Sequence, residues 1–219
     1  MTRRHRHRLS SKKAGLPPGT LVATAPPGEP CAGISQVLYD AAGYAGREVQ
    51  TIEEAFRAPG DRRVLWINVD GVHQLPVLER IGARFGLHPL LLEDIAHTEQ
   101  RPKLEHYGEH LFMDLNAIRA VEGMEEIQTE QISLVLGPDW LLSFNEAPQP
   151  YVAAIRERLR TDKAHARQGG ADFLAYTILD AVVDGYYSVL EHVADRVEVL
   201  EEELMARPTP ATLQAVYGL

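Results

Sequence analysis

Three groups of carboxylates carry the chemistry on offer in this sequence. Glu93 and Asp94 follow the apolar run Leu90-Leu91-Leu92. Adjacent helical residues point about 100° apart, so this pair suits two ions, or one direct and one water-mediated contact, better than one shared ion. On spacing alone it reads equally as a polar helix end. Asp180 and Asp184 stand four residues apart on one helix face, among Ile178, Leu179, Ala181, Val182 and Val183. Ionised carboxylates in apolar surroundings need partners or a metal, and a cation relieves the repulsion of an i,i+4 like-charge pair. The plain alternative is a solvated face. The third group runs from Glu191 to Glu203, where six acids face Arg196 alone; it reads as the solvated outer face of a coiled coil.

Hard oxygen donors without a cysteine cluster or a spaced histidine pair point to magnesium or calcium rather than structural zinc. Magnesium keeps much of its water and takes one or two carboxylates, so sparse acids on separate elements fit a weak, reversible magnesium site better than a calcium cage. The sequence has no EF-hand loop, no Walker loop, no Gly-x-Ser-x-Gly and no glycine-rich dinucleotide turn. His88, His97, His106 and His110 show no paired spacing. A metal-dependent hydrolase needs a base, an activated nucleophile and an oxyanion donor; no catalytic residue or bound organic cofactor is assigned, and the chain is expected not to be an enzyme.

The elements that must position these acids follow from periodicity. Gly19–Ala25 and Ile34–Tyr39 are expected strands, the second ending in a turn with Asp40 and Gly43. Thr51 caps a short helix with Glu53 and Glu54 in its first turn. Arg63–Val69 reads as a buried strand, and residues 75–86 as a helix with Leu75, Leu78, Ile81 and Phe85 on one stripe. Gly86-Leu-His-Pro stops that helix and starts another over Leu90–Ala96, with Pro89 in its first turn. Glu109–Arg119, Glu130–Leu136 and Trp140–Phe144 are β-like, and Gly137-Pro-Asp joins the last two as an antiparallel hairpin. Gln149–Asp162 is an amphipathic helix. The pattern gives a mixed α/β (α+β) domain, a β-sheet between helices over 19–170. From Asp172 to Met205 apolar residues recur at Tyr176, Leu179, Val183, Tyr186, Leu190, Val193, Val197, Leu200 and Leu204. That 3,4 spacing predicts one long helix. It ends at Arg207-Pro208-Thr209-Pro210, where Thr209 and Pro210 begin a returning helix within a segment spanning 171–219.

Composition sets bounds on partners. The net charge of −9 is uneven: residues 1–13 hold six basic residues and no acid, which leaves the remainder at −15. An acidic body argues against nucleic acid as a ligand. Residues 1–18 are expected to form a disordered basic tail, with His5 and His7 poor metal ligands beside arginines. Cys31, the single cysteine, has no partner for an internal disulfide. No run approaches 18 uninterrupted apolar residues, so no membrane span is expected in this sequence. A helix that begins at Pro210 and stops at Leu219 leaves its seam uncovered, so the natural protein is expected to continue.

Several segments match a known pattern. Gly19-Thr-Leu-Val, Trp66-Ile-Asn-Val, Gly86-Leu-His-Pro-Leu-Leu-Leu-Glu-Asp-Ile, Gln100-Arg-Pro-Lys, Glu130-Gln-Ile-Ser-Leu-Val-Leu and Ile178-Leu-Asp-Ala-Val-Val-Asp-Gly-Tyr-Tyr resemble, in order, the soluble domain of CorA magnesium/cobalt transporters. The resemblance implies a cytoplasmic α/β/α domain of a homopentameric membrane protein, at the cytoplasmic face of the inner membrane. Most of its long pore-lining stalk helix, its two membrane helices and its Gly-Met-Asn pore motif are expected to lie outside this sequence, and Gly123-Met124-Glu125 is not that motif. It further implies regulatory Mg2+, with Co2+ a second cargo, between subunits at Glu93, Asp94 and Asp180. Asp184 lies beside that set. The ion holds the pore closed, and the isolated piece is expected to be monomeric or weakly associated. A zinc-moving relative and a coiled-coil scaffold without an ion role are the alternatives.

Overall fold

A computed structural model describes residues 15, 17, 19–22, 33–58, 60–98, 100–120, 127–161, 165–206 and 209–217. The basic tail apart from Gly15 and Pro17, the end of the expected first strand at 23–25, Cys31, the 123–125 tripeptide and the Arg207-Pro208 step lie outside the described residues.

The chain contains β1 (Gly33–Tyr39), β2 (Tyr44–Val49), α1 (Ile52–Ala55), β3 (Val64–Asp70), α2 (Leu75–Phe85), α3 (Pro89–Ala96), β4 (Lys103–Tyr107), β5 (His110–Ala120), β6 (Ile127–Leu136), β7 (Trp140–Asn145), α4 (Pro150–Thr161), α5 (Ala171–Ala206) and α6 (Pro210–Tyr217). The strands form one mixed sheet in the order β2-β1-β3-β7-β6-β5-β4. β3 and β7 are parallel, in register from Leu65 opposite Trp140 to Asp70 opposite Asn145. β6 and β7 are antiparallel across the expected hairpin, where the Gly137 amide donates to the Trp140 carbonyl at 2.9 Å.

The expected strand at Gly19–Ala25 is not borne out over its described part: Gly19–Val22 is turn and coil. Gly19 has φ +82°, and a Cβ there would stand 2.9 Å from the Pro89 Cβ. The segment lies against the start of α3, too close for a side chain, and does not extend along the sheet. β2 and β4, the two sheet edges, were not expected from the sequence.

Chain contacts divide the molecule into two compact units. The first comprises residues up to Asn116 and from Glu130 to Leu179. Strand alternation gives its sheet two faces. Ile34, Leu38, Leu65, Ile67, Val69, Phe112, Val135, Leu142 and Phe144 form one core with Ile52 of α1, Leu78 and Ile81 of α2, and Leu91 and Ile95 of α3. Burying such side chains is worth roughly 1.5–3 kcal/mol each. Gly86 ends α2 in the left-handed conformation at φ +65°, and His88 then caps α3, its Nδ1 accepting from the Leu90 amide at 3.2 Å. The opposite face presents Trp66, Asn68, Ser143 and Asn145. α4 packs there, with its Tyr151 hydroxyl donating to Asn145 Oδ1 at 2.6 Å.

The second unit comprises residues 117–129 and 180–217 of the described chain. It holds most of α5, which is unbroken over 36 residues, and α6, whose Thr209 N-cap accepts from the Thr212 amide at 3.1 Å. The stripe buried along α5 is Ala171, Leu174, Ile178, Val182, Val189 and Leu200. The 3,4 seam expected from the sequence is instead largely exposed at Tyr176, Val183, Leu190, Val197 and Leu204. Both faces of α5 are apolar here, so periodicity does not choose between them. By length and composition alone α5 is apolar enough to cross a membrane, with a mean hydropathy of 1.2 over its best 18 residues. A helix that starts against a packed core passes the same test, and Ala171, Leu174, Ala175 and Ile178 at the start of α5 are buried in the first unit.

Candidate metal-binding carboxylates

Glu93 and Asp94 sit at the C-terminal half of α3, whose opposite side buries Leu91, Leu92, Ile95 and Ala96. Packing therefore fixes the helix and leaves both acids half-buried at its edge. Glu93 Oε2 accepts from the Gly19 amide at 2.7 Å, which accounts for the glycine: only a backbone without a Cβ comes this close to Pro89.

Asp94 is held at both oxygens. Oδ1 accepts from Gln100 Nε2 at 2.7 Å, and Oδ2 pairs with Lys103 Nζ at 2.6 Å. The side chain of Asp94 is 15% exposed and that of Lys103 is 24% exposed. Burial opposes the Lys103 charge most strongly, yet Asp94 and Glu105 together raise its pKa above the ordinary value. Glu105 Oε2 stands 3.4 Å from the same ammonium and accepts from the Tyr107 hydroxyl. Thus two residues of the Gln100-Arg-Pro-Lys run orient and neutralise Asp94.

A buried polar group adjoins this pair. Gln131 Nε2 donates to the Asp94 carbonyl at 3.3 Å and to Ser133 Oγ at 3.2 Å. Ser133 Oγ donates to Asp114 Oδ1 at 3.0 Å. Asp114 is 1% exposed, and its Oδ2, like Gln131 Oε1, is buried without a donor. Burial pushes the Asp114 carboxyl up to about 7, against the Ser133 hydrogen bond and the Lys103 charge. A proton on Asp114 adds a donor to a group with surplus acceptors. Sequence reasoning missed Lys103, Gln100 and Asp114 as parts of this site.

In the second unit Asp180 and Asp184 are both exposed, one turn apart on α5. Neither makes a hydrogen bond or ion pair among the described residues. The acids from Glu191 to Glu203 are exposed, as expected of a solvated face. Among the described residues no three of His, Cys, Asp and Glu converge to hold a metal. Two clefts of the first unit, about 280 Å³ beside Arg57 and Trp140 and about 390 Å³ beside Arg47 and Asp61, are not lined by Glu93 or Asp94. Carboxylate oxygen is the donor type that a hard divalent ion retaining much of its water takes.

Comparison with known proteins places the chain in a family. The family model described as "CorA-like Mg2+ transporter protein" matches residues 61–219. The cobalt/magnesium transport protein CorA of Thermotoga maritima is 37% identical over 212 residues, 97% of this chain and 60% of that protein, so the chain spans about three-fifths of that relative's length. Among solved structures, full-length CmaX superposes with a TM-score of 0.66 at 20% identity, over 86% of this chain and 58% of that one. The soluble domain of CorA from Methanocaldococcus jannaschii does so with 0.62 at 17% identity, over 84% and 69%. These likenesses establish the same mixed sheet and long helix. With the matched residues covering most of its length, the chain belongs to the CorA-like Mg2+ transporter family.

Proposed function

We propose that this chain is the cytoplasmic, divalent-cation-sensing part of a magnesium/cobalt transporter at the inner membrane, assembled as a homopentamer in the full-length protein. Magnesium bound between copies of the chain, at sites to which Glu93, Asp94 and Asp180, and also Asp184, each contribute together with acidic groups of a neighbouring copy, stabilises the closed pore. The observation that carries this reading is the exposure of Asp180 and Asp184, one turn apart and unpaired among the described residues, in a chain whose 37% identical relative is a cobalt/magnesium transport protein. Like charges on one helix repel, and a divalent ion removes that repulsion. When magnesium falls, copies separate and the pore opens, a population shift driven by an ion that favours the closed form. The residues here supply few inner-sphere donors, so affinity is low and reversible. The division that suits this role is an α/β/α cytoplasmic domain at 19–170 followed by a long helix and the start of a returning stalk helix at 171–219.

Limited proteolysis of the full-length protein across a magnesium titration tests it. Wild type becomes protected as magnesium rises. Asp94→Asn and Asp180→Asn should lose that dependence, and Glu201→Gln, on the solvated face, should keep it. Wild-type protection in both Asn variants, with loss in the Glu201 variant, would place the site elsewhere.

A further inference from the structure

We propose that Lys103 is a resident cation at Asp94 that competes with the divalent ion and so sets the concentration at which that ion binds; this rests on the reading of Asp94 as a magnesium ligand. The geometry is that of a tethered competitor. The Lys103 ammonium stands 2.6 Å from Asp94 Oδ2, the oxygen that Gln100 leaves free. Its anchorage is firm: β4 pairs with β5 at Lys103 opposite Asp114, and the ammonium lies 5.7 Å from the ring centroid of fully buried Phe112. A metal that takes Asp94 Oδ2 must displace this ammonium or bind beside its positive charge, and either weakens binding in a half-buried setting where charges are incompletely screened.

The displaced ammonium has a second carboxylate within reach. Glu105 Oε2 is 3.4 Å from Nζ and its side chain is 42% exposed, so it keeps its hydration while receiving the ammonium. Gln100 is neutral and stays on Oδ1, holding the carboxylate in one orientation whichever cation occupies Oδ2. The arrangement exchanges one cation for another without leaving Asp94 bare: lysine in the ion-free state, magnesium in the bound state. This makes the midpoint of the sensor a property of Lys103 and Glu105 as well as of the ligands.

The test measures the magnesium concentration for half-maximal protection from proteolysis, and the magnesium-dependent shift in unfolding temperature, in the full-length protein. Lys103→Met should lower the half-effect concentration about tenfold, and the Asp94→Asn/Lys103→Met double variant should abolish the gain. Lys103→Arg, which keeps the charge, should stay at or above the wild-type concentration. Glu105→Gln, a substitution at an exposed edge that the fold tolerates if Lys103→Met does not, should raise it about threefold because the ammonium loses its alternative partner. An unchanged or higher concentration in Lys103→Met, a tenfold drop in Lys103→Arg, or an unchanged value in Glu105→Gln would overturn the proposal. Asp94→Asn reads the underlying assignment separately: a wild-type response there removes Asp94 from the site, whereas a lost response with Lys103→Met unchanged rejects the competitor alone.

Discussion

The two faces of the central sheet solve the problem of buried polarity differently. On the α4 side, Trp66 Nε1 donates to Ser143 Oγ, Ser143 donates to Asn68 Oδ1, and Asn145 Nδ2 donates to both Asn68 and Asp70. Tyr151 closes the set on Asn145. No atom of these side chains is among the buried polar atoms without a partner. On the α3 side, Asp94, Gln100, Lys103, Asp114, Gln131 and Ser133 mix two carboxylates with one ammonium, and two acceptors have no donor. A network in which every buried polar atom is partnered fixes structure. An ionic one with unfilled valence responds to protons and cations. The comparison locates responsiveness at α3 and rigidity at the β3–β7 junction.

Breaking the fully partnered side should cost most. Asn145→Ala leaves the Tyr151 hydroxyl without its acceptor and removes one donor each from Asn68 and Asp70, and chemical denaturation should show a loss of about 3 kcal/mol. Asp114→Asn should act in the opposite direction. The folded pKa of Asp114, about 7, lies above its unfolded value, so the native state retains a proton that the unfolded chain releases. Its contribution is therefore fully present below about pH 4 and is lost as pH rises through about 7. The amide cannot ionise, so Asp114→Asn should gain on the order of 2 kcal/mol over wild type at pH 8 and little at pH 4. Equal differences at both pH values would mean that Asp114 is not the titrating group. Lys103→Met leaves Asp94 partly buried without its counter-ion and should lose about 1–2 kcal/mol in the absence of divalent ions. Magnesium added to the full-length protein should restore most of that loss, and failure to do so would mark Lys103 as purely structural. Glu201→Gln on the exposed face of α5 should change stability by less than about 0.5 kcal/mol.

Much of this frame was legible from residue pattern. The buried strands β1, β3, β6 and β7 announce themselves as apolar runs, and Gly86, Pro89, Thr209 and Pro210 mark helix ends by their backbone constraints. The edge strands were not legible. β2 reads Tyr-Ala-Gly-Arg-Glu-Val and is exposed from Ala45 to Glu48, and β4 reads Lys-Leu-Glu-His-Tyr with Leu104 64% exposed. Edges carry polar and charged residues that discourage further pairing, which erases the alternation that reveals inner strands. The buried side of α5 was hidden because Ile178, Leu179, Val182 and Val183 surround the helix with apolar groups. At the candidate site the acids themselves were visible. Their restraints were not: Gln100 and Lys103 return to Asp94 through the α3–β4 connection, and Asp114 and Gln131 come from other strands. Such contacts leave no trace in local spacing.

The central claim is that Asp94 and Asp180 both bind regulatory magnesium in the full-length assembly. Calorimetric titration of magnesium into the full-length protein measures this most directly, with wild type, Asp94→Asn and Asp180→Asn compared at equal ionic strength. The account predicts a saturable binding phase in wild type that disappears in both variants. A phase of unchanged midpoint and stoichiometry in both variants would contradict it.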